Sequence, residues 1–129
     1  MVLLELLFSF LLGGCAYALI EILWRGYTHW SMFLAGGLCF AWLYALVTRT
    51  SLPLPAQCAL GALIITGVEF FTGCVVNIAL GWKVWDYSRF RFNLMGQICL
   101  PYVGAWFLLS LPALLLAKGL QAVIWGMFR

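Results

Sequence analysis

Charge is scarce in this chain. Seven lysines and arginines and four acids stand among 129 residues, so charged side chains make up 9%, against roughly 25% in a globular protein. Hydrophobic residues reach 66%, where about 45 to 50% is usual, and together the two figures exclude a soluble core, which cannot hide so much apolar surface. Histidine occurs once, at His29, which rules out a multi-histidine metal site within one subunit and leaves His29 as a polar residue at the membrane boundary. Cys15, Cys39, Cys58, Cys74 and Cys99 lie in or beside apolar stretches without a Cys-x-x-Cys pair, so they read as packing residues rather than as disulfides or metal ligands. No Gly-x-x-x-x-Gly-Lys-Ser/Thr loop occurs, which excludes ATP hydrolysis by that route. No metal and no cofactor is assigned. The net charge of +3 is spread over the connections, a pattern that suits lipid headgroups as neighbours and not nucleic acid.

What is present is a set of long apolar stretches, at 2–24, 30–47, 58–80 and about 94–117. A helix needs roughly 20 apolar residues to cross the hydrocarbon core, so the pattern predicts an all-α integral membrane protein. The expected form is a single transmembrane domain of four helices, arranged as two tandem two-helix hairpins. The first stretch is expected to be a mature helix and not a cleaved signal, because no lysine or arginine precedes it and Glu5 stands where positive charge belongs. Orientation is weakly encoded: Arg49, Lys118 and Arg129 fall on one expected side and Arg25, Lys83, Arg89 and Arg91 on the other.

Pro53 and Pro55 break the second stretch from the third, since proline lacks a donor and pushes its preceding residue toward extended geometry. Between the third and fourth stretches lies an aromatic and basic loop, 81–93, with Trp85, Asp86, Tyr87, Arg89, Arg91 and Asn93. If extended, it places the arginines on one face and Phe90 and Phe92 on the other. Trp85 and Tyr87 are expected as belt anchors at the interface, and Asp86 as the acceptor of a turn clasp. The halves also show a faint duplication. Gly13 and Glu21 recur as Gly61 and Glu69, and Leu34 to Cys39 resembles Leu94 to Cys99 at another offset. Chance matching of glycine-rich apolar helices is the competing explanation.

The most informative residue is Glu69, near the middle of the third stretch. A centred carboxylate costs roughly 2.5 to 3.5 kcal/mol on insertion scales, so such groups face a polar interior, a partner or a pathway. Gly61, Ile65, Glu69, Gly73 and Asn77 recur every four residues, one small and polar helix face of the kind that packs closely on neighbours. On the first helix, Gly14, Ala18, Glu21 and Arg25 share a face, and Glu21 can pair with Arg25. The candidate substrate- or ion-binding set is therefore Glu69, Glu21, Asn77 and Arg25, with 85–93 at its mouth. Pro101 is expected inside the fourth helix, freeing the carbonyl of Gln97 and bending the span.

Glu69-Phe70-Phe71-Thr72-Gly73, then Trp85-Asp86-Tyr87-Ser88 with Phe90 and Phe92, then Gly96-x-Ile98-x-Leu100 and Trp106, resemble the small membrane proteins of the CmpB-type ABC-transporter family, which has bacterial and animal members. The likeness rests mainly on the second half of the chain. It implies a four-helix integral membrane fold and supplies no catalytic residues. An ATPase would then be a separate subunit, and four helices are few for a carrier, so transport implies a homo-oligomer or a membrane partner subunit.

Three functional classes fit these residues. The leading one is a channel- or transporter-like component with a polar intramembrane site at Glu69. The alternative is a structural or assembly subunit in which Glu69 bonds neighbouring helices. The weakest is an enzyme acting on lipid, with Asp86 or Glu69 as general base and Arg89 and Arg91 holding phosphate.

Overall fold

The computed structural model describes residues 2–128. Four helices carry the chain: α1 (Val2–Arg25), α2 (Trp30–Arg49), α3 (Leu54–Gly73), which continues as a π-helical segment (Cys74–Ala79), and α4 (Leu100–Met127). Counting the π-helical extension with α3, each is long and apolar enough to cross a membrane. The protein is an integral, multi-pass membrane protein. Its outer surface agrees, because large apolar side chains such as Leu3, Trp24, Leu63, Phe71 and Leu108 point outward, and soluble monomers rarely expose contiguous patches of that extent.

Local chemistry sets the helix ends. Gly26, at φ +85°, lets α1 stop in a left-handed cap, its N–H donating to the Ile22 carbonyl at 2.8 Å. His29 caps α2, Nδ1 accepting from the Ser31 N–H at 3.1 Å. Pro55 lies in the first turn of α3, where a missing N–H costs nothing. That is why α3 starts at Leu54 and not at 58 as the apolar pattern suggests.

The fourth helix departs further from expectation. Residues 94–99 are not helical: β1 (Asn93–Leu94) and β2 (Ile98–Cys99) form an antiparallel hairpin with Asn93 opposite Cys99 and Leu94 opposite Ile98. Its turn places Met95 and Gly96 at positive φ. Pro101 therefore falls in the first turn of α4 and bends nothing. The proline inside the helix is Pro112, which leaves the carbonyl of Leu108 without its helical donor. The helix runs on to Met127, so Lys118 is an exposed residue of α4 and not of a connection.

Helices pack chiefly as the hairpins α1–α2 and α3–α4, with α2 also lying against both α3 and α4. The matching of Leu34 to Cys39 with Leu94 to Cys99 does not extend to structure, since the first segment is helix and the second a hairpin. Close approach of α1 and α2 depends on absent side chains. A Cβ on Gly13 would collide with Cβ of Phe40, and one on Gly37 would stand 2.7 Å from the Phe10 carbonyl oxygen. Gly13→Leu should destabilise the fold by about 1 to 3 kcal/mol, the usual range for overpacking. Gly104→Leu, where nothing lies within 4 Å, should be neutral. Unfolding in mild detergent measures both.

Candidate functional site

Glu69 is 7% exposed and faces the bundle interior. Its carboxylate accepts two hydrogen bonds from neutral donors: the Tyr87 hydroxyl at 2.9 Å on Oε2 and the Trp106 indole N–H at 3.1 Å on Oε1. Among the described residues it has no cationic partner. Three parts of the chain thus meet at one buried acid: α3 supplies it, the loop supplies the phenol and α4 the indole. Trp106 is itself seated by the rings of Tyr17 and Tyr102, at 6.4 and 5.7 Å between centroids. Tyr102 also stacks on Tyr87 at 4.9 Å.

Glu21 is equally buried but differently served. Arg25 donates to it at 3.0 Å and Thr28 at 3.3 Å, so its charge is neutralised within α1 and the turn that follows. The same guanidinium donates to the Val84 carbonyl at 3.2 Å, tying the end of α1 to the loop. Tyr17 lies one turn below Glu21 and packs on Trp106, so it connects the two acids' surroundings. Of these two acids, Glu69 keeps an unpaired site for positive charge.

Asn77 does not join Glu69. It lies in the π-helical segment, where its Nδ2 donates to Gln97 Oε1 at 2.8 Å and its Oδ1 accepts the Val84 N–H at 2.7 Å. Trp85 donates its indole N–H to the Gln97 carbonyl at 3.0 Å. Asn77 and Gln97 together clamp the loop over the end of the bundle. Trp85 is buried and Tyr87 half-buried, so neither is the interfacial anchor that its type suggests, because each polar tip finds an acceptor inside. Burial and the neighbouring Glu69 carboxylate push the Tyr87 hydroxyl up from its ordinary value, which keeps it a donor.

The outer loop is a chain of turns, and the extended alternation expected for it does not form: Phe92 stands at φ +57°, and Phe90 packs edge-on to Tyr87 and Tyr102. Arg89 and Arg91 are exposed, with Arg91 over the Phe92 ring. Asn93, the first residue of β1, braces the turns on either side, its side chain donating to the Phe90 carbonyl at 2.8 Å and accepting from the Gly96 N–H at 3.0 Å. Asp86 forms a clasp with Ser88, accepting its backbone N–H at 2.9 Å and its hydroxyl at 3.0 Å. These bonds hold the Asp86 carboxyl below its usual value. A depressed value means that the clasp contributes fully above the ordinary carboxylate range, near 3.9, and is lost as pH falls through the lower folded value. The Ser88 amide resonance should therefore hold steady down to about pH 4 and move only below it; a shift centred near neutrality contradicts the clasp.

A half-open cavity of about 200 Å³ lies between the four helices. Glu69, Tyr17, Trp85 and Trp106 mark its polar and aromatic part, and residues such as Leu43, Ala113 and Leu116 its aliphatic part. Small residues, among them Gly13, Ala16, Ala35 and Gly36, also line it. Sequence reading missed a third buried acid. Glu5, 5% exposed, accepts from the Tyr44 hydroxyl at 2.9 Å and the Trp125 indole at 2.6 Å. Both sites repeat one solution, a carboxylate served by one phenol and one indole, and in both the indole comes from α4. The available signal was the need of every buried acid for donors; which tyrosine and tryptophan would serve was set by topology.

The sequence profile of one family, described as "Putative ABC-transporter type IV", matches residues 5–127. No curated protein and no solved structure matches the chain.

Proposed function

The chain belongs to that ABC-transporter type IV family, and from this premise we propose that it is a transporter-like membrane component whose cargo is held at Glu69. The observation that carries the reading is a buried carboxylate with only neutral donors, opening on a cavity among the helices. An intramembrane acid is a functional site by default, and this one is sheltered by protein and hydrogen-bonded. Four helices are few for a carrier, so the working unit is a homo-oligomer or a complex with a partner subunit, the latter supplying any ATP hydrolysis. The test is flux of cations or protons into proteoliposomes holding the protein with whatever co-purifies in mild detergent. Flux above protein-free vesicles supports the reading, and its absence contradicts it.

A second reading has its own observation. Both Glu69 oxygens already accept a bond and so join α3 to α4 and the loop, as polar side chains do when they only hold membrane helices together. A structural subunit of this kind requires a stoichiometric partner on purification and no flux.

A further inference from the structure

We propose that the cavity is a binding site for a small lipophilic ammonium, a protonated primary amine carrying one alkyl chain of about six carbons. The inference rests on the reading of Glu69 as a cargo site and names the class of cargo. Charge comes first. Glu69 is the one carboxylate on the cavity wall, and among the described residues no lysine, arginine or histidine lines it, so an anionic head meets only repulsion. Tyr17, Trp85 and Trp106 line the same cavity as the carboxylate, and aromatic side chains close to an acid are surroundings that suit an ammonium.

Shape and lining argue against a bare metal ion. A hard cation that gives up its water needs six or more oxygen ligands, whereas this wall is apolar away from Glu69. The aliphatic part, with Leu43, Ala113 and Leu116, requires a tail. A cavity of about 150 Å³ takes up benzene, so the half-open space of about 200 Å³ holds roughly six carbons of a tail within the helices. An ammonium donates to the free lone pairs of Glu69 without displacing Tyr87 or Trp106, since a carboxylate has about four acceptor sites and two are used.

The experiment is equilibrium dialysis of radiolabelled hexylammonium, hexanol, hexanoate and methylammonium against the protein in phosphatidylcholine nanodiscs, with protein-free discs subtracted. Hexylammonium should bind saturably, and hexanol and methylammonium about tenfold or more weakly, with no hexanoate bound. Glu69→Gln should lose about tenfold or more. Ala113→Leu, which keeps the acid and fills the tail end, should lose binding too; if it fails to fold, Leu109→Trp fills the same cavity from a half-buried position. Equal binding of the three six-carbon probes, or full binding in Glu69→Gln or in a folded plug variant, overturns the proposal. Flux of small cations without hexylammonium binding removes this proposal and leaves the transport reading standing; binding without flux does the reverse.

Discussion

Glu69→Gln is expected to cut cargo flux by about 10- to 100-fold while the helices stay intact. A hydrogen bond to a charged group contributes about 1.5 to 3 kcal/mol, and each 1.4 kcal/mol is tenfold in affinity. The amide keeps one oxygen for the Trp106 indole or the Tyr87 hydroxyl, so the fold loses little. What it loses is the negative charge, the feature that separates Glu69 from Glu21, whose charge Arg25 already neutralises. Glu69→Leu should behave differently, leaving both donors without an acceptor. Hydrogen bonds between membrane helices average about 0.6 kcal/mol and reach about 1.7, so loss of the pair should cost about 1 to 3 kcal/mol. Flux and unfolding measured on both variants separate cargo binding from scaffolding. Unchanged flux in Glu69→Gln would remove Glu69 from the mechanism.

The second large effect is expected at Asn77→Leu. This substitution strips the Val84 N–H of its acceptor and leaves Gln97 Oε1 without its donor. Unsatisfied buried groups cost about 1 to 3 kcal/mol each, and partial access of water lowers the sum to about 2 to 4 kcal/mol. The loop should come away from the bundle, carrying Tyr87 from Glu69 and Trp85 from the cavity. Trypsin cleavage after Lys83, Arg89 and Arg91 should then accelerate markedly, and tryptophan emission should shift to the red. A cleavage rate equal to wild type would show that the π-helical segment is not what holds the loop.

The outcome at Asn77 shows where sequence and structure part. Helical spacing correctly put Glu69 on a small, polar, buried face with Gly61 and Gly73, because burial of a charge and close packing leave marks in residue type. The same spacing put Asn77 on that face, and it does lie with Gly73 against Gln97, but two turns on from Glu69 its hydrogen bonds go to Gln97 and the loop and not to the acid. The boundary errors have one cause. Hydropathy sees the apolar character of Leu94 to Cys99 but not the positive φ of Met95 and Gly96, which makes a hairpin of it. Pro101 was misread for the same reason, as its effect depends on which turn of the helix it occupies.

The partners of the acids were the least legible. Glu21 and Arg25 are four residues apart, so their pairing follows from helix geometry. Tyr87 and Trp106 reach Glu69 from 18 and 37 residues away, and Trp125 reaches Glu5 from 120. Such separations are decided by how the hairpins fold against each other. Tyr87 and Trp85 were expected at the headgroup boundary because their type is enriched there. They turn inward because the buried carboxylate and the Gln97 carbonyl offer acceptors that lipid cannot.

The central claim is that the Glu69 carboxylate is enclosed by protein donors beside an interhelical cavity. Magic-angle-spinning NMR on protein in lipid bilayers, with labelled glutamate and tryptophan, reads this directly. The predicted result is a through-space correlation between the Glu69 carboxyl carbon and the Trp106 indole N–H, lost in Trp106→Phe. A Glu69 carboxyl that correlates with lipid acyl protons, and with no indole, would contradict the account.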